Sequence, residues 1–235
     1  MMRDHGRLSL ILAAACLLSA AAMARAADEA APVGAAVCAG CHSEVAEKFA
    51  KTFHGRKALS NKKLEAGCES CHGPGSAHAA AGGDRNNAGF ATIKNLKKLP
   101  AAEQSETCLA CHKENKNLML WKTGSHNQHD VSCLKCHSVH DSEGRQSLAK
   151  GQTETCLACH AKQKADMRLA SHHPVPEGKM ECASCHNPHG GIEGNLKADS
   201  EEELCAKGHA EKGGPFAFEH PPVADGCKNC HVVHG

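Results

Sequence analysis

The chain has 235 residues, a formal net charge of +1 and only 3% aromatic residues. A chain of this length normally buries a large apolar core, so this composition excludes an interior built from apolar side chains alone. The near-neutral charge, with no basic stripe or aromatic platform, also excludes a nucleic-acid-binding protein. The 16 Cys and 19 His instead indicate chemistry based on thiols and imidazoles.

The first predicted element is a cleaved signal peptide over residues 1–26. Arg3 and Arg7 give it a basic start, and an apolar run follows over residues 8–23. The Ala-Arg-Ala sequence of residues 24–26 fits the small-x-small cleavage rule. The run is too short for a membrane helix, and no later segment is apolar enough to be one. We therefore expect a secreted, periplasmic protein without a membrane span of its own.

The sequence Cys-x-x-Cys-His occurs seven times after this segment, at residues 38–42, 68–72, 108–112, 133–137, 156–160, 182–186 and 227–231. This is the attachment sequence of c-type haem, in which two thiols reach two vinyl groups and the adjacent His ligates the iron. Zinc knuckles, or disulfides within each pair, would not require a His after every second Cys. The intact motifs supply the predicted thioether cysteines Cys38, Cys41, Cys68, Cys71, Cys108, Cys111, Cys133, Cys136, Cys156, Cys159, Cys182, Cys185, Cys227 and Cys230.

An eighth motif lacks its second cysteine. Residues 205–209 keep Cys205 and His209, but Gly208 stands where the second Cys belongs. The alternative is a lost haem and a free thiol. Cys16 falls in the signal and 14 cysteines belong to the intact motifs, so Cys205 has no disulfide partner in the mature chain. We expect seven haems c and an eighth at this site.

The motifs repeat as four modules of two, which predicts domains at 27–90, 91–145, 146–195 and 196–235. Each module closes with a motif followed by a trailing His, and another His lies between its two motifs. The trailing histidines are His78, His140, His189 and His234. The intermediate histidines are His54, His126, either His172 or His173, and His220.

The histidines suffice to ligate both faces of eight irons. The predicted proximal ligands are His42, His72, His112, His137, His160, His186, His209 and His231. The trailing and intermediate histidines supply eight distal ligands. Three residues of chain are too few to pass around the porphyrin edge to the opposite face of the same haem. We therefore expect each trailing His to ligate the next haem. His129 is left as a residue without a ligand role.

Between the motifs the sequence predicts short helices, such as 44–53 and 203–207, punctuated by Gly and Pro. No strand pattern is present. We expect a mainly α fold with extensive irregular loops, arranged as an elongated array of four dihaem modules.

Several loops beyond the haem motifs resemble the MtrA/DmsE-type periplasmic decahaem cytochromes. They include His54-Gly55, the Cys-Glu-Ser-Cys-His-Gly-Pro-Gly of residues 68–75, the Cys-x-x-Cys-His-Asn-Pro-His-Gly of residues 182–190, and the Gly-Pro-Phe-x-Phe-Glu-His-Pro-Pro-Val of residues 214–223. The resemblance implies a row of closely stacked bis-His haems. It also implies docking into an outer-membrane porin and electron passage across that membrane in extracellular or anaerobic respiration. The family usually carries ten haem motifs and has Cys at position 208.

The leading hypothesis is therefore an electron-transfer protein that is not an enzyme. Its expected partners are redox proteins, an outer-membrane porin and an inner-membrane quinol-linked cytochrome. The alternative is a multihaem reductase of a small nitrogen or sulfur oxyanion, which needs an iron with an open face. The balanced histidine count and the lack of a Cys-x-x-Cys-Lys motif favour the electron carrier. If the chain were a reductase, the haem of His209 would be the expected one with an open iron face.

Overall fold

The computed structural model describes residues 30–58, 67–142, 144, 146–192, 194–218 and 220–235. The predicted signal peptide lies outside these residues. The described chain consists of short helices joined by irregular loops, and its only β pairing is two isolated bridges, His137 with Leu148 and His186 with Leu196. The predicted mainly α fold is confirmed. No helix in this part of the chain has the length and apolar character needed to cross a membrane.

The chain divides into two compact units. The first unit comprises the described part of Met1–Leu99 together with Val139–Arg145, and the second comprises Pro100–Ser138 and Gln146–Gly235. The first unit contains the helices α1 Ala35–Cys41, α2 Ser43–Lys51, α3 Phe53–Ala58, α4 Glu69–His72 and α5 Ser76–Ala80, with 3-10 turns at Ala88–Thr92 and Leu96–Lys98. The four-module division stays a prediction.

The second unit contains seven α-helices. They are α6 Ala101–His112, α7 Ser125–Gln128, α8 Gln152–Leu157, α9 Ala161–Asp166, α10 Cys182–Cys185, α11 Glu201–Gly208 and α12 Pro221–Ala224. Its 3-10 turns are Lys116–Leu118, Trp121–Thr123, Cys133–Lys135, Ala210–Lys212 and Cys227–Asn229.

The helix predicted over residues 44–53 is two helices, because the chain breaks at Thr52. The Thr52 hydroxyl donates to the carbonyl of Phe49 at 2.7 Å and accepts the amide of Gly55 at 3.1 Å. This side chain therefore caps both the end of α2 and the start of α3. The hydrogen bonds of the Thr52 hydroxyl replace backbone hydrogen bonds of a continuous helix. The apolar periodicity of a sequence does not show such a break.

The helix predicted over residues 203–207 begins two residues earlier, as α11. The Ser200 hydroxyl accepts the amide of Glu203 at 3.1 Å, and the Glu203 carboxylate accepts the amide of Asp199 at 3.2 Å. The first turn of α11 is acidic, which suits the positive end of the helix dipole. This segment, which carries Cys205, therefore has a well-formed start.

Apolar packing within the described chain is sparse. The buried hydrophobic side chains are Ala81, Leu109, Trp121, Met167 and Val175. Larger apolar groups lie at the surface instead, and Phe218 is 95% exposed. The side chains thus leave the interior to be filled by something else, as the composition predicts.

One buried carboxylate anchors the start of the first unit. Glu69, which is 7% exposed, accepts the amides of Val33, Gly34 and Gly75 at 2.7–3.2 Å. Burial raises the pKa of Glu69, but the hydrogen bonds from these amides outweigh it and hold the pKa below its ordinary value. The ionised carboxylate therefore fastens the segment before α1 to the loop after α4.

Candidate haem sites

Each haem motif is a single tight turn. In seven of the motifs, that of His209 included, the His amide donates to the carbonyl of the first Cys at 2.9–3.1 Å. The remaining motif, which ends at His112, lies within α6. This i to i+4 bond brings the cysteines and the His onto one side of a turn, as attachment of one porphyrin requires. The spacing of the motif is therefore sufficient to build the local site.

The first cysteines of the two motifs in a module touch each other. In each of the four modules the opening thiol hydrogen-bonds the closing thiol: Cys38 with Cys68, Cys108 with Cys133, Cys156 with Cys182, and Cys205 with Cys227. In the free-thiol form, burial raises the pKa of Cys205, and the hydrogen bond from Cys108 lowers the pKa of Cys133. The thioether edges of the two haems in a module are thus neighbours.

A recurrent clamp holds these two motifs together. The residue four positions before each opening cysteine bonds a residue next to the closing cysteine: Gly34 with Glu69, Gln104 with Ser132, Gln152 with Ala183, and Glu201 with Lys228. Sequence analysis missed this role. A signal was available, because the sequence Gln-x-Glu-Thr-Cys-Leu-Ala-Cys-His occurs at both 104–112 and 152–160.

Cysteines of successive modules in the second unit also lie within electrostatic range of each other. In addition to burial, Cys136 raises the pKa of Cys156, and Cys159 of the same module as Cys156 raises the pKa of Cys136. Cys185 in the same way adds to the effect of burial on the pKa of Cys205. The predicted attachment points of the second, third and fourth modules therefore follow one another in chain order.

Six histidine pairs face each other across similar gaps. Four pairs have ring planes within 21° of parallel: His42 with His78 at 6.3 Å between centroids, His72 with His140 at 5.8 Å, His137 with His189 at 6.0 Å, and His186 with His234 at 6.1 Å. Two pairs are crossed: His126 with His160 at 6.1 Å and 75°, and His173 with His209 at 6.1 Å and 55°.

These separations fit bis-His ligation of an iron. Two imidazoles that each bind one metal ion at about 2 Å have ring centres about 6 Å apart. Each pair contains one predicted proximal and one predicted distal ligand, so the residues present fit the haem that the motifs imply.

The pairs indicate which predicted haem each of these six distal candidates would ligate. A trailing His of one module faces the closing motif of the module before it, as His140 faces His72. An intermediate His faces the opening motif of the module after it, as His126 faces His160. His78 faces His42 within its own module. The trailing histidines thus point backward along the chain, whereas the sequence predicted the next haem. His54, His112, His220 and His231 stay predicted ligands.

Backbone carbonyls orient many of these rings. Nδ1 donates to a carbonyl oxygen in six paired histidines: His72 to Lys94, His78 to Phe90, His126 to Pro188, His137 to Gln146, His173 to Val233, and His186 to Gly194, all at 2.7–3.0 Å. This bond selects the tautomer that leaves Nε2 as the metal-binding nitrogen. The carbonyls therefore act as positioning groups for the iron ligands.

The structure separates His172 from His173, which the sequence could not. His172 uses both ring nitrogens, because Nδ1 donates to the Leu169 carbonyl at 2.6 Å and Nε2 lies 3.0 Å from the Glu177 carboxylate. His173 donates from Nδ1 to the Val233 carbonyl at 2.7 Å and faces His209. Of the two alternatives, His173 is therefore the ligand candidate that the geometry favours, and His172 is the less favourable one.

His129 stands apart from these pairs. Its Nδ1 donates to the carbonyl of Ser125 at 2.8 Å, at the end of α7. This local bond agrees with the structural role expected for His129.

The distal rings are neutral where they are best enclosed. Burial lowers the pKa of His140, His189 and His234, and that of His189 falls to about 4. Repulsion from the facing His137 acts in the same direction at His189. Iron takes a neutral imidazole, so burial keeps these rings in the ligating form at physiological pH.

Comparison with known proteins agrees with this geometry. Residues 68–150 match a family of NrfB-like cytochrome c-type proteins, and residues 172–214 match a doubled CXXCH motif, a stretch that includes the damaged site. The chain belongs to the multihaem c-type cytochromes. It is 38% identical over 199 residues to the multihaem cytochrome MtrA of Shewanella baltica strain OS185, an alignment that covers 83% of this chain. The chain spans 58% of the length of that relative. The predicted resemblance is confirmed.

Proposed function

We propose that this chain is a periplasmic electron carrier that passes single electrons along a row of bis-His haems. The observation that carries the proposal is the set of four histidine pairs in the second unit, in each of which a predicted proximal ligand faces a predicted distal ligand. Each haem iron supplies a one-electron couple, and two imidazole ligands keep its coordination unchanged between oxidation states. The protein fixes the order of the sites and the orientation of the ligands.

The proposed partners are redox proteins on both sides of the carrier. An inner-membrane quinol-linked cytochrome would deliver electrons, and a cytochrome associated with an outer-membrane porin would accept them. The similarity to MtrA supports this conduit role, and so does the predicted signal peptide, which would place the chain between the two membranes.

The reductase alternative needs an iron with an open face. In each of the six pairs, both faces of the expected iron position carry a histidine. This arrangement disfavours substrate binding at those irons, so we propose electron transfer rather than catalysis as the activity.

The test uses holoprotein produced in a host with haem-maturation enzymes. The reduced protein is mixed anaerobically with a soluble ferric chelate, or with nitrite, hydroxylamine or sulfite and a continuous electron supply. We expect the chelate to reoxidise every haem and the small oxyanions to show no sustained turnover. Continuous consumption of nitrite or sulfite would instead establish the reductase.

The conduit role has its own test. The holoprotein is produced together with a candidate outer-membrane porin from the same organism, and this barrel is purified through an affinity tag. We expect the cytochrome to co-purify and to conduct electrons to an acceptor enclosed in barrel-containing vesicles. The barrel alone is the control, and equal reduction in both preparations would contradict the role.

A further inference from the structure

The damaged motif keeps the backbone of an intact one. The His209 amide donates to the Cys205 carbonyl at 2.9 Å, within the range of the complete motifs. His209 also has φ −127° and ψ 51°, close to the −113° and 42° of His42 in the first motif. The loss of the second cysteine has therefore not unfolded the turn that presents Cys205 and His209 together.

The surroundings of Cys205 also match those of an intact opening motif. Its thiol hydrogen-bonds Cys227, as that of Cys156 hydrogen-bonds Cys182. Glu201, four residues before Cys205, takes the clamp position and accepts the Lys228 amide at 2.9 Å. The fourth module is thus assembled like the second and third.

A distal ligand is in place opposite His209. The rings of His173 and His209 are 6.1 Å apart between centroids, the same separation as in the crossed pair of His126 and His160. The two distal rings are also held alike, each donating from Nδ1 at 2.7 Å to the residue before a trailing histidine, Pro188 or Val233. The distal position opposite His209 is therefore built in the same way as the one opposite His160.

The position of the missing thiol is open. A Cβ built on Gly208 meets no heavy atom within 4 Å. Among the described residues, none therefore blocks the first atom of a side chain at this position. We propose that the segment binds an eighth haem through a single thioether from Cys205, with His209 and His173 as its axial ligands, an inference that rests on the proposed function.

The attachment needs no further reactant. The S–H of Cys205 adds across one vinyl C=C of haem: the sulfur bonds the inner carbon, and the thiol hydrogen goes to the terminal carbon. The addition joins the two molecules without a leaving group and without an external oxidant or reductant. The second vinyl group stays unsaturated, because Gly208 supplies no thiol.

The alternative ligand for the residues around Cys205 is a metal ion. Ligand atoms of Glu201, Cys205 and Cys227 lie within 4.8 Å of one another. However, both carboxylate oxygens of Glu201 are engaged by Lys228, one by its amide and the other by its ammonium at 2.6 Å. Cys227 belongs to an intact haem motif, and the same thiol contact recurs in the other modules. The cluster is therefore the clamp of a dihaem module.

The first test counts covalent haems by the mass of denatured wild-type protein. We expect eight, falling to seven in Cys205→Ser, and the pyridine haemochrome spectrum of the wild type should contain a minor component at longer wavelength. That component reports the one conjugated vinyl group. Gly208→Cys should keep eight haems and lose the component, because the second thioether can then form in the open space.

The second test separates the ligands. His173→Ala should keep eight covalent haems but convert one low-spin ferric haem to high-spin, whereas His172→Ala should change neither quantity. This pair forms a matched control, since the two residues are adjacent and only His173 faces His209.

Three outcomes would overturn the inference. Seven haems in the wild type and eight in Gly208→Cys would show that the site is empty without its second thiol. Eight haems in the native iron assay with seven covalently bound would refute the single thioether. Seven haems with one equivalent of zinc would establish the metal site. None of these outcomes decides the proposed function, which the reoxidation assays test on all the other haems.

Discussion

The imidazole rings of His72 and His140 lie 5.8 Å apart with planes 10° from parallel, although the two residues come from different predicted modules. The rings of His126 and His160 have nearly the same separation but planes 75° apart. The ring pairs that contain an intermediate histidine are crossed, and the pairs that join a closing motif to a trailing histidine are near-parallel.

The first prediction concerns the spectra of these two groups. Near-parallel imidazoles on ferric iron give a rhombic low-spin electron paramagnetic resonance signal, whereas crossed imidazoles give a signal dominated by one large g value. We expect both signals in the oxidised holoprotein, with at least four haems in the rhombic group and at least two in the other. A spectrum of a single type, or a substantial high-spin signal, would contradict this assignment of ligand pairs.

The second prediction assigns His189 to the haem of His137. In His189→Ala we expect one haem of the rhombic group to become high-spin, with the haem count unchanged, because the covalent links and His137 remain. His129→Ala is the matched control, since the His129 ring bonds the carbonyl of Ser125 in the helix just before it and faces no other histidine in the described pairs, so its spectrum should equal that of the wild type. Loss of a signal from the crossed group in His189→Ala would show that the pairing is different.

The local sites could be predicted from the sequence because they depend on local spacing. The turn from Cys205 to His209 spans four residues, so its geometry follows from the motif. The choice between His172 and His173 could not be made in this way. It depends on the contacts of the two rings with Glu177 and with the distant carbonyl of Val233. Such contacts cannot be predicted from the spacing of residues in the sequence.

In the overall fold, too, features that depend on local sequence could be predicted and features that depend on tertiary contacts could not. The mainly α character follows from the short polar segments between motifs, and the sparse core follows from composition. The direction in which trailing histidines reach, and the clamp of Gln104 and Gln152, depend on packing between segments far apart in the chain. Such packing overrides local expectation.

The third prediction concerns Glu69. Glu69→Gln removes a charged acceptor from three amides, so we expect a loss of about 2 kcal/mol in the free energy of unfolding of this segment. Because the folded pKa lies below the unfolded value, the stabilisation is present above about pH 4.3 and is lost as pH falls through the folded pKa. The difference between wild type and variant should therefore shrink in acid.

The measurement is amide hydrogen exchange at Val33, Gly34 and Gly75 as a function of pH. Glu47→Gln, at an exposed position of α2, should leave these amides unchanged. Equal protection in wild type and Glu69→Gln at neutral pH would show that the carboxylate does not anchor the segment.

The fourth prediction concerns the loop that carries His189. Gly190 has φ +132°, and a Cβ there would lie 2.5 Å from the carbonyl oxygen of Leu120. We expect Gly190→Ala to cost about 2 kcal/mol in backbone strain and to displace His189. Gly151→Ala is the control, because Gly151 has φ −56° and no heavy atom near the added methyl group.

The readouts are the denaturant midpoint and the high-spin fraction of the holoprotein. Gly190→Ala should lower the midpoint and raise the high-spin fraction, and Gly151→Ala should change neither. A low-spin Gly190→Ala protein with a wild-type midpoint would refute the close approach of this loop to Leu120.

The backward reach of the trailing histidines determines the order in which the cytochrome can be completed. A secreted chain emerges amino terminus first, so His72 is available before His140, and His137 before His189. A closing haem attached early then has one imidazole until the following module is delivered. We therefore expect haem maturation to lag by one module, with each newly translocated segment supplying the second axial ligand of the closing haem before it.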